Sequence, residues 1–155
     1  MRNHGDFIFQ RKLDNLTGEY VDDILPTDIQ IASGQQTPSA AGSITIASFS
    51  VEPGEECIIG DVDFGAAAAA LAEVTVTYVN SFGTSVTITR YIYLGAAGFI
   101  NERHDINKDP FFAFYNPLVQ GEATPAPATV SLTVPSAAAS TQYVGNIAYV
   151  VRASE

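Results

Sequence analysis

Residues 72–94 read AEVTVTYVN-SFGT-SVTITRYIYL, two β-rich runs around a short break that contains Gly83. In the first run Val74, Val76 and Tyr78 share one face, and Glu73, Thr75 and Thr77 the other. In the second, Val86, Ile88, Ile92 and Leu94 alternate with Thr87, Thr89, Tyr91 and Tyr93. Period-two alternation of β-branched and aromatic residues marks a strand with one buried face. Two such runs joined by a few residues with a glycine predict a hairpin.

Working outward from this hairpin, the pattern repeats. Thr27–Ala32 reads as a short strand, followed by a loop over Ser33–Gly42. Ser43–Val51 is a strand whose alternation slips between Ile46 and Phe49, which a bulge near Ala47–Ser48 repairs. Glu52-Pro53-Gly54-Glu55 is a turn. Glu56–Phe64 is a strand around the apolar patch Cys57-Ile58-Ile59. Gly65, five alanines and Leu71 form the one helix signal in the chain, and a tight connection between strands fits these residues as well.

After Leu94, a long connection is expected from Phe99 to Pro117, polar first and aromatic afterwards. Gln120–Ala128 reads as a Pro-rich extended linker. Thr129–Val134 and Thr141–Arg152 are the last strands. Gly145 in the latter suggests a bulge or a close approach by another backbone. Seven or eight strands with regular turns predict an all-β fold, an antiparallel β-sandwich of jelly-roll type, with an immunoglobulin-like sandwich as the alternative. The sandwich is expected over residues 27–155. Residues 1–26 form an extended N-terminal arm, with a turn and the apolar knot Phe7-Ile8-Phe9, ending at Pro26.

Charge excludes several functions. The chain has 17 acids against 7 bases, a net charge of −10. Binding to nucleic acid needs Lys and Arg against phosphates, and adhesion to an anionic membrane needs the same, so neither is expected. No apolar run is long enough for a membrane-spanning helix. The first residues lack the apolar core of a secretion signal, so export by an N-terminal signal is not expected. Only 15% of residues are charged, which leaves a surface built from Ser, Thr, Asn and Gln. Cys57 is the single cysteine and reads as a small buried strand residue.

Several constellations carry chemistry on paper. Asp105, Asn107 and Asp109 have the spacing of the first calcium-loop ligands. Pro110 and Asn116 stand where that loop needs its glycine and its bidentate Glu, so a turn in a solvated loop is the better reading. Asp61 and Asp63 flank Val62 near a strand end, either as a carboxylate pair or as a charged strand edge. His4 and His104 are the only histidines. No catalytic elbow or nucleotide loop is present. No enzyme activity, metal or cofactor is expected. Arg90 shares parity with the apolar face of its strand. It has three readings: a buried guanidinium with a carboxylate partner, a residue turned outward by a bulge at Thr89–Arg90, or a residue at a subunit interface. Phe111, Phe112, Phe114 and Tyr115 are placed with it at an oligomer interface, and burial in the chain's own core is the competing reading. A sugar platform on these rings is a further alternative.

In general character the chain resembles phage capsid decoration, or cement, proteins. The likeness lies in the small β-sandwich, the distinct arm and the Ser/Thr/Ala/Gly-rich surface. It implies a virion structural protein, assembled in the host cytoplasm and sitting on the capsid exterior. Its partners would be the major capsid protein and further copies of itself, as a homotrimer. Arg2, Phe7, Ile8, Phe9, Arg11 and Lys12 are the docking candidates on the arm, by their chemistry. The alternatives are a carbohydrate- or ligand-binding module, such as a receptor-binding fibre head, and another virion component such as a connector or tail protein.

Overall fold

A computed structural model describes residues 28–118 and 126–153, together with the backbone of two short strands nearer the N-terminus. Those two, β1 (Arg11–Leu13) and β2 (Tyr20–Asp22), pair antiparallel as a small separate sheet. The rest of the expected arm lies outside the described residues, and so does most of the Pro-rich linker.

The main body contains β3 (Gln30–Gln36), β4 (Gly42–Val51), β5 (Glu55–Ala66), β6 (Ala70–Val79), β7 (Ser85–Leu94), β8 (Gly98–Glu102), β9 (Phe112–Tyr115), β10 (Ala128–Ala137) and β11 (Tyr143–Ala153). The pairing is nested. β6 pairs with β7, β5 with β8 and β9, β4 with β10, and β3 with β11, all antiparallel. The chain is thus one long hairpin rolled into two layers, β4-β10-β6-β7 against β3-β11-β5-β8, with β9 on the other half of β5. This is the jelly roll the strand pattern predicts.

The founding hairpin is as expected. Val74 and Val76 point into the core with Ile92 and Leu94. The opposite face carries cross-strand hydroxyl pairs, Thr75 with Thr89 (3.5 Å) and Thr77 with Thr87 (3.3 Å). At the turn the Asn80 side chain accepts the N–H groups of Phe82 and Thr84. Gly83 takes a φ of +80°, which a side chain would resist. The slip in β4 is a bulge: Leu132 faces Ala47 and Thr133 faces Thr45, so Ile46 is the extra residue. Ile46 and Ala47 are then both buried.

Three expectations need correction. The alanine run is not a helix: β5 continues through Ala66 and β6 begins at Ala70. Gly65 and Ala66 are hydrogen-bonded on both sides, to β11 and β8, and a seven-residue helix cannot match that. The loop expected from Ser33 is strand as far as Gln36, because Gly34 lies opposite Gly145. Both glycines are needed where the layers meet. A Cβ on Gly34 would collide with the Ile46 carbonyl, and one on Gly145 with the Leu132 side chain. The nearest approach to Gly145 is thus by a side chain, Leu132, and the irregularity of its strand falls later, between Ile147 and Tyr149. Finally, the long connection after Leu94 contains two strands, β8 and β9. Each is short, and β5 supplies the pairing for both.

Candidate functional site

The site lies where the two layers fail to close. β7 and β8 are the outer strands of their sheets on the same side of the sandwich. On β7 the inward positions run Val86, Ile88, Arg90, Ile92 and Leu94. The β6–β7 ladder pairs Val74 with Arg90 and has no shift in register along its length. The bulge reading of Arg90 is thereby overturned, and the residue keeps its inward parity. On β8, Glu102 lies opposite the fully buried Val62 and so also has inward parity. Each outer strand thus puts one charged residue in a position that alternation reserves for the core.

Between them opens a cleft of about 510 Å³, whose walls also include Ile88, Thr89, Tyr91, His104 and Phe111. The Arg90 guanidinium carbon sits 5.5 Å from the ring centre of Phe112 and 6.0 Å from that of Phe111, a cation–π arrangement. Among the described residues no carboxylate lies within ion-pair distance of Arg90. Across the cleft His104 Nε2 stands 3.7 Å from Glu102 Oε2, and the imidazole meets the Phe111 ring edge-on at 5.5 Å.

The far wall is held by a bulge in β5. Ile147 pairs with Val62 and Tyr149 with Ile59, leaving Gly60 and Asp61 looped out against Ala148. Bulges re-aim side chains, and here Asp61 Oδ1 accepts the His104 backbone N–H at 3.0 Å. Gly60 leaves room for Ile106, whose side chain would lie 3.3 Å from an added Cβ. Ile106 joins Ile58, Val150 and Ile29 in a second small apolar cluster on the outer face of the five-stranded sheet. The segment between β8 and β9 is thereby pinned to the sheet. Within it Asp105 Oδ1 accepts the Asn107 N–H, and the Asp105 carbonyl accepts from Lys108 and Asp109. This is the Asx turn expected in place of a calcium loop.

Asp61 and Asp63 do not act as a pair. Asp61 anchors His104, and Asp63 accepts from the Asn101 amide, which in turn accepts from Arg103 Nε at 2.8 Å.

The aromatic stretch divides. Phe111 and Phe114 are buried in the chain's own core, Phe112 is half-buried, and Tyr115 is exposed. The interface assignment of Phe111 and Phe114 is therefore corrected: Phe114, on β9, stacks on Tyr78, and Phe111, tied just before β9 to the Ile59 carbonyl, lies beside Arg90. Arg2, Phe7, Ile8 and Phe9 lie outside the described residues. Arg11 and Lys12 fall on β1, where only the backbone is described. The sequence reading missed the meeting of Glu102 with Arg90. The available signal was the inward parity of Arg90; the nested pairing that places β8 beside β7 is not visible along the chain.

No protein-family model matches this sequence, and no curated protein does. Among solved structures, similarity is found to a family 16 carbohydrate-binding module at 15% identity, with a TM-score of 0.44, covering 75% of this chain and 74% of that one. A second is the enzymatically active domain of tailspike protein 4 of bacteriophage CBA120, at 12% identity and a TM-score of 0.33, covering 81% of this chain and 20% of that one. A third is a chain of infectious bursal disease virus, Gx strain, at 14% identity and a TM-score of 0.29, covering 90% of this chain and 44% of that one. Nothing about function follows from likenesses this slight.

Proposed function

We propose that the chain is a non-enzymatic virion structural protein that cements a phage capsid by bridging neighbouring subunits. One observation carries this reading: large apolar side chains are exposed on both outer faces of the sandwich. Tyr91 and Tyr93, at 64% and 71% exposure, stand on the outer face of β7, with Leu71 beside Tyr93 across the β6–β7 ladder. On the opposite layer Ile31 is 66% exposed on β3 and Phe99 78% on β8, one on each outer strand. A single exposed apolar residue is ordinary, whereas grouped ones mark contact surfaces. A monovalent module needs one such surface; a bridging subunit needs at least two. Arg2, Phe7, Ile8, Phe9, Arg11 and Lys12 on the arm remain the proposed grip on the major capsid protein, and trimer formation the proposed self-contact.

The test is pelleting of the purified protein with heads of the virus that encodes it, together with light scattering for its mass in solution. Saturable binding, weakened by Tyr93→Ser and separately by Phe99→Ser while melting stays unchanged, supports bridging through both faces. Binding that neither substitution weakens removes this basis for the proposal.

A second reading has its own observation. The cleft between β7 and β8 is open and of ligand size, and brings Arg90, Glu102 and His104 together beside Tyr91 and Phe111. A ligand-binding module, such as a fibre head, would use it.

A further inference from the structure

We infer that the cleft between β7 and β8 is a receptor for a carboxylate-bearing sugar, a uronate or sialate residue of an acidic glycan, with Arg90 as the carboxylate ligand. This rests on the ligand-binding reading above.

The inference starts from charge placement. A strand with one buried face has no reason to put a guanidinium on that face. Arg90 is there with its register intact, between Ile88 and Ile92. The rings of Phe111 and Phe112 lie beside its guanidinium, at 6.0 and 5.5 Å. No acid among the described residues takes up its charge. A planar fork flanked by aromatic rings and left open on its polar edge suits a planar carboxylate, which it grips through two parallel hydrogen bonds.

The remaining walls select what carries the carboxylate. Glu102 is on the opposite rim, with His104 at 3.7 Å. A carboxylate there repels a second acid but accepts hydrogen bonds from hydroxyls. Thr89 lies in the wall through its place on β7, while its hydroxyl pairs with that of Thr75 on the outer face. Phe111, itself largely buried, adds apolar surface at the base of the cleft. One cation, one acceptor rim and an apolar base within about 510 Å³ match one or two sugar rings with a single acid group. A polyacidic peptide would place a negative group against Glu102.

The test is a titration of the full chain, followed by NMR amide shifts. The probes are methyl glucuronide, N-acetylneuraminic acid, methyl glucoside and an acetylated Asp-containing tripeptide. At least one acidic sugar is expected to shift Thr89, Arg90, Glu102 and His104, and to bind about tenfold or more tightly than the glucoside. Arg90→Gln is expected to erase that preference. Arg90→Lys, which keeps the charge but not the fork, retains only part of it. Equal binding of glucoside and acidic sugars at the cleft would overturn the carboxylate assignment while keeping a ligand site. Absence of any sugar binding would overturn both. Tighter binding of the tripeptide than of either acidic sugar would overturn the choice of a sugar.

Discussion

The two long sides of this sandwich solve the same problem in opposite ways. On the β3–β4 side the layers touch: Gly34 lies against the Ile46 carbonyl, and Gly145 lies against Leu132. On the β7–β8 side Arg90 and Glu102 occupy inward positions, and the layers stay apart around a cleft. Nothing in the strand pairing requires the difference, since both sides end in outer strands of a jelly roll. Side-chain size and charge decide it. Glycine removes the spacer between layers. A charged residue at an inward position keeps water at the edge, because burying it unpaired would cost several kcal/mol. An open edge lined with charge is also one that strands of other molecules do not readily extend.

The closed side is the more sensitive to substitution. Gly34→Val places a branched side chain against the backbone of the facing sheet, which cannot move without parting β4 from β10. A loss of about 3 kcal/mol is expected, read as a lower urea midpoint. Gly145→Ala should cost less, since the Leu132 side chain can rotate away. A Gly34→Val protein as stable as the parent would mean that the layers are not in contact there.

Next in size is the clip at the end of β9. Asn116 is the buried polar side chain among the described residues, at 2% exposure. Its amide donates to the Val51 carbonyl at 2.9 Å, and its backbone exchanges hydrogen bonds with Gly54 and Glu55. Asn116→Ala leaves a buried carbonyl without its donor, which costs about 1–3 kcal/mol. Urea unfolding would measure it. Because the clip tethers the strand that carries Phe112, the same change should also loosen the support beside Arg90, seen as faster amide exchange in β9. A loss of stability confined to the β4–β5 turn, with β9 exchange unchanged, would uncouple the clip from the open side.

These expectations mark what the sequence could disclose. The alternation of Val74, Val76, Ile88 and Ile92 identified the founding hairpin, and the slip between Ile46 and Phe49 identified a bulge to within one residue. Such signals are local, carried by neighbours in the chain. The Ala66–Ala70 connection misled because alanine favours helix when alone, and partners on β11 and β8 overrode that preference. The cleft was half legible. Arg90 stood out by parity, but its companions Glu102 and His104 come from a segment whose own pattern reads as polar loop. Only nested pairing over tens of residues brings them together, and no periodicity encodes that.

A pH scan tests the closed interior rather than the open side. Cys57 is fully buried on β5. Burial, reinforced by the Glu56 and Glu55 carboxylates, pushes its thiol up to about 12 from 9.0. In the unfolded chain the thiol ionises near its ordinary value, so between about pH 9 and 12 the unfolded state has lost a proton that the folded state keeps. The contribution of the neutral thiol to stability is whole below pH 9 and declines as pH rises through that window. Urea midpoints at about pH 8 and about pH 10.5 should differ more for the parent than for Cys57→Val. The native thiol should also resist alkylation at pH 8 until the protein unfolds. Rapid native alkylation would show that water reaches the interior from the open side.

The smallest effect on stability, and the most direct on the comparison, is expected from Arg90→Ile. The substitution supplies the residue that alternation calls for and removes the charge holding the edge open. Ile would sit among Val74, Ile88, Phe111 and Phe112, which already line an apolar crevice beside Arg90. Lost cation–π contact and gained apolar burial nearly offset, so the net change should stay within about 1 kcal/mol of the parent. The consequence should appear in association instead. With the inward charge gone, the exposed edge of β7 becomes a better template for another strand, and light scattering should show larger species as concentration rises. A soluble variant of unchanged mass would mean that Glu102 alone protects the edge. A loss well beyond 2 kcal/mol would mean that the guanidinium supports the fold itself, and that the open side, like the closed one, is built for stability rather than kept open for a ligand.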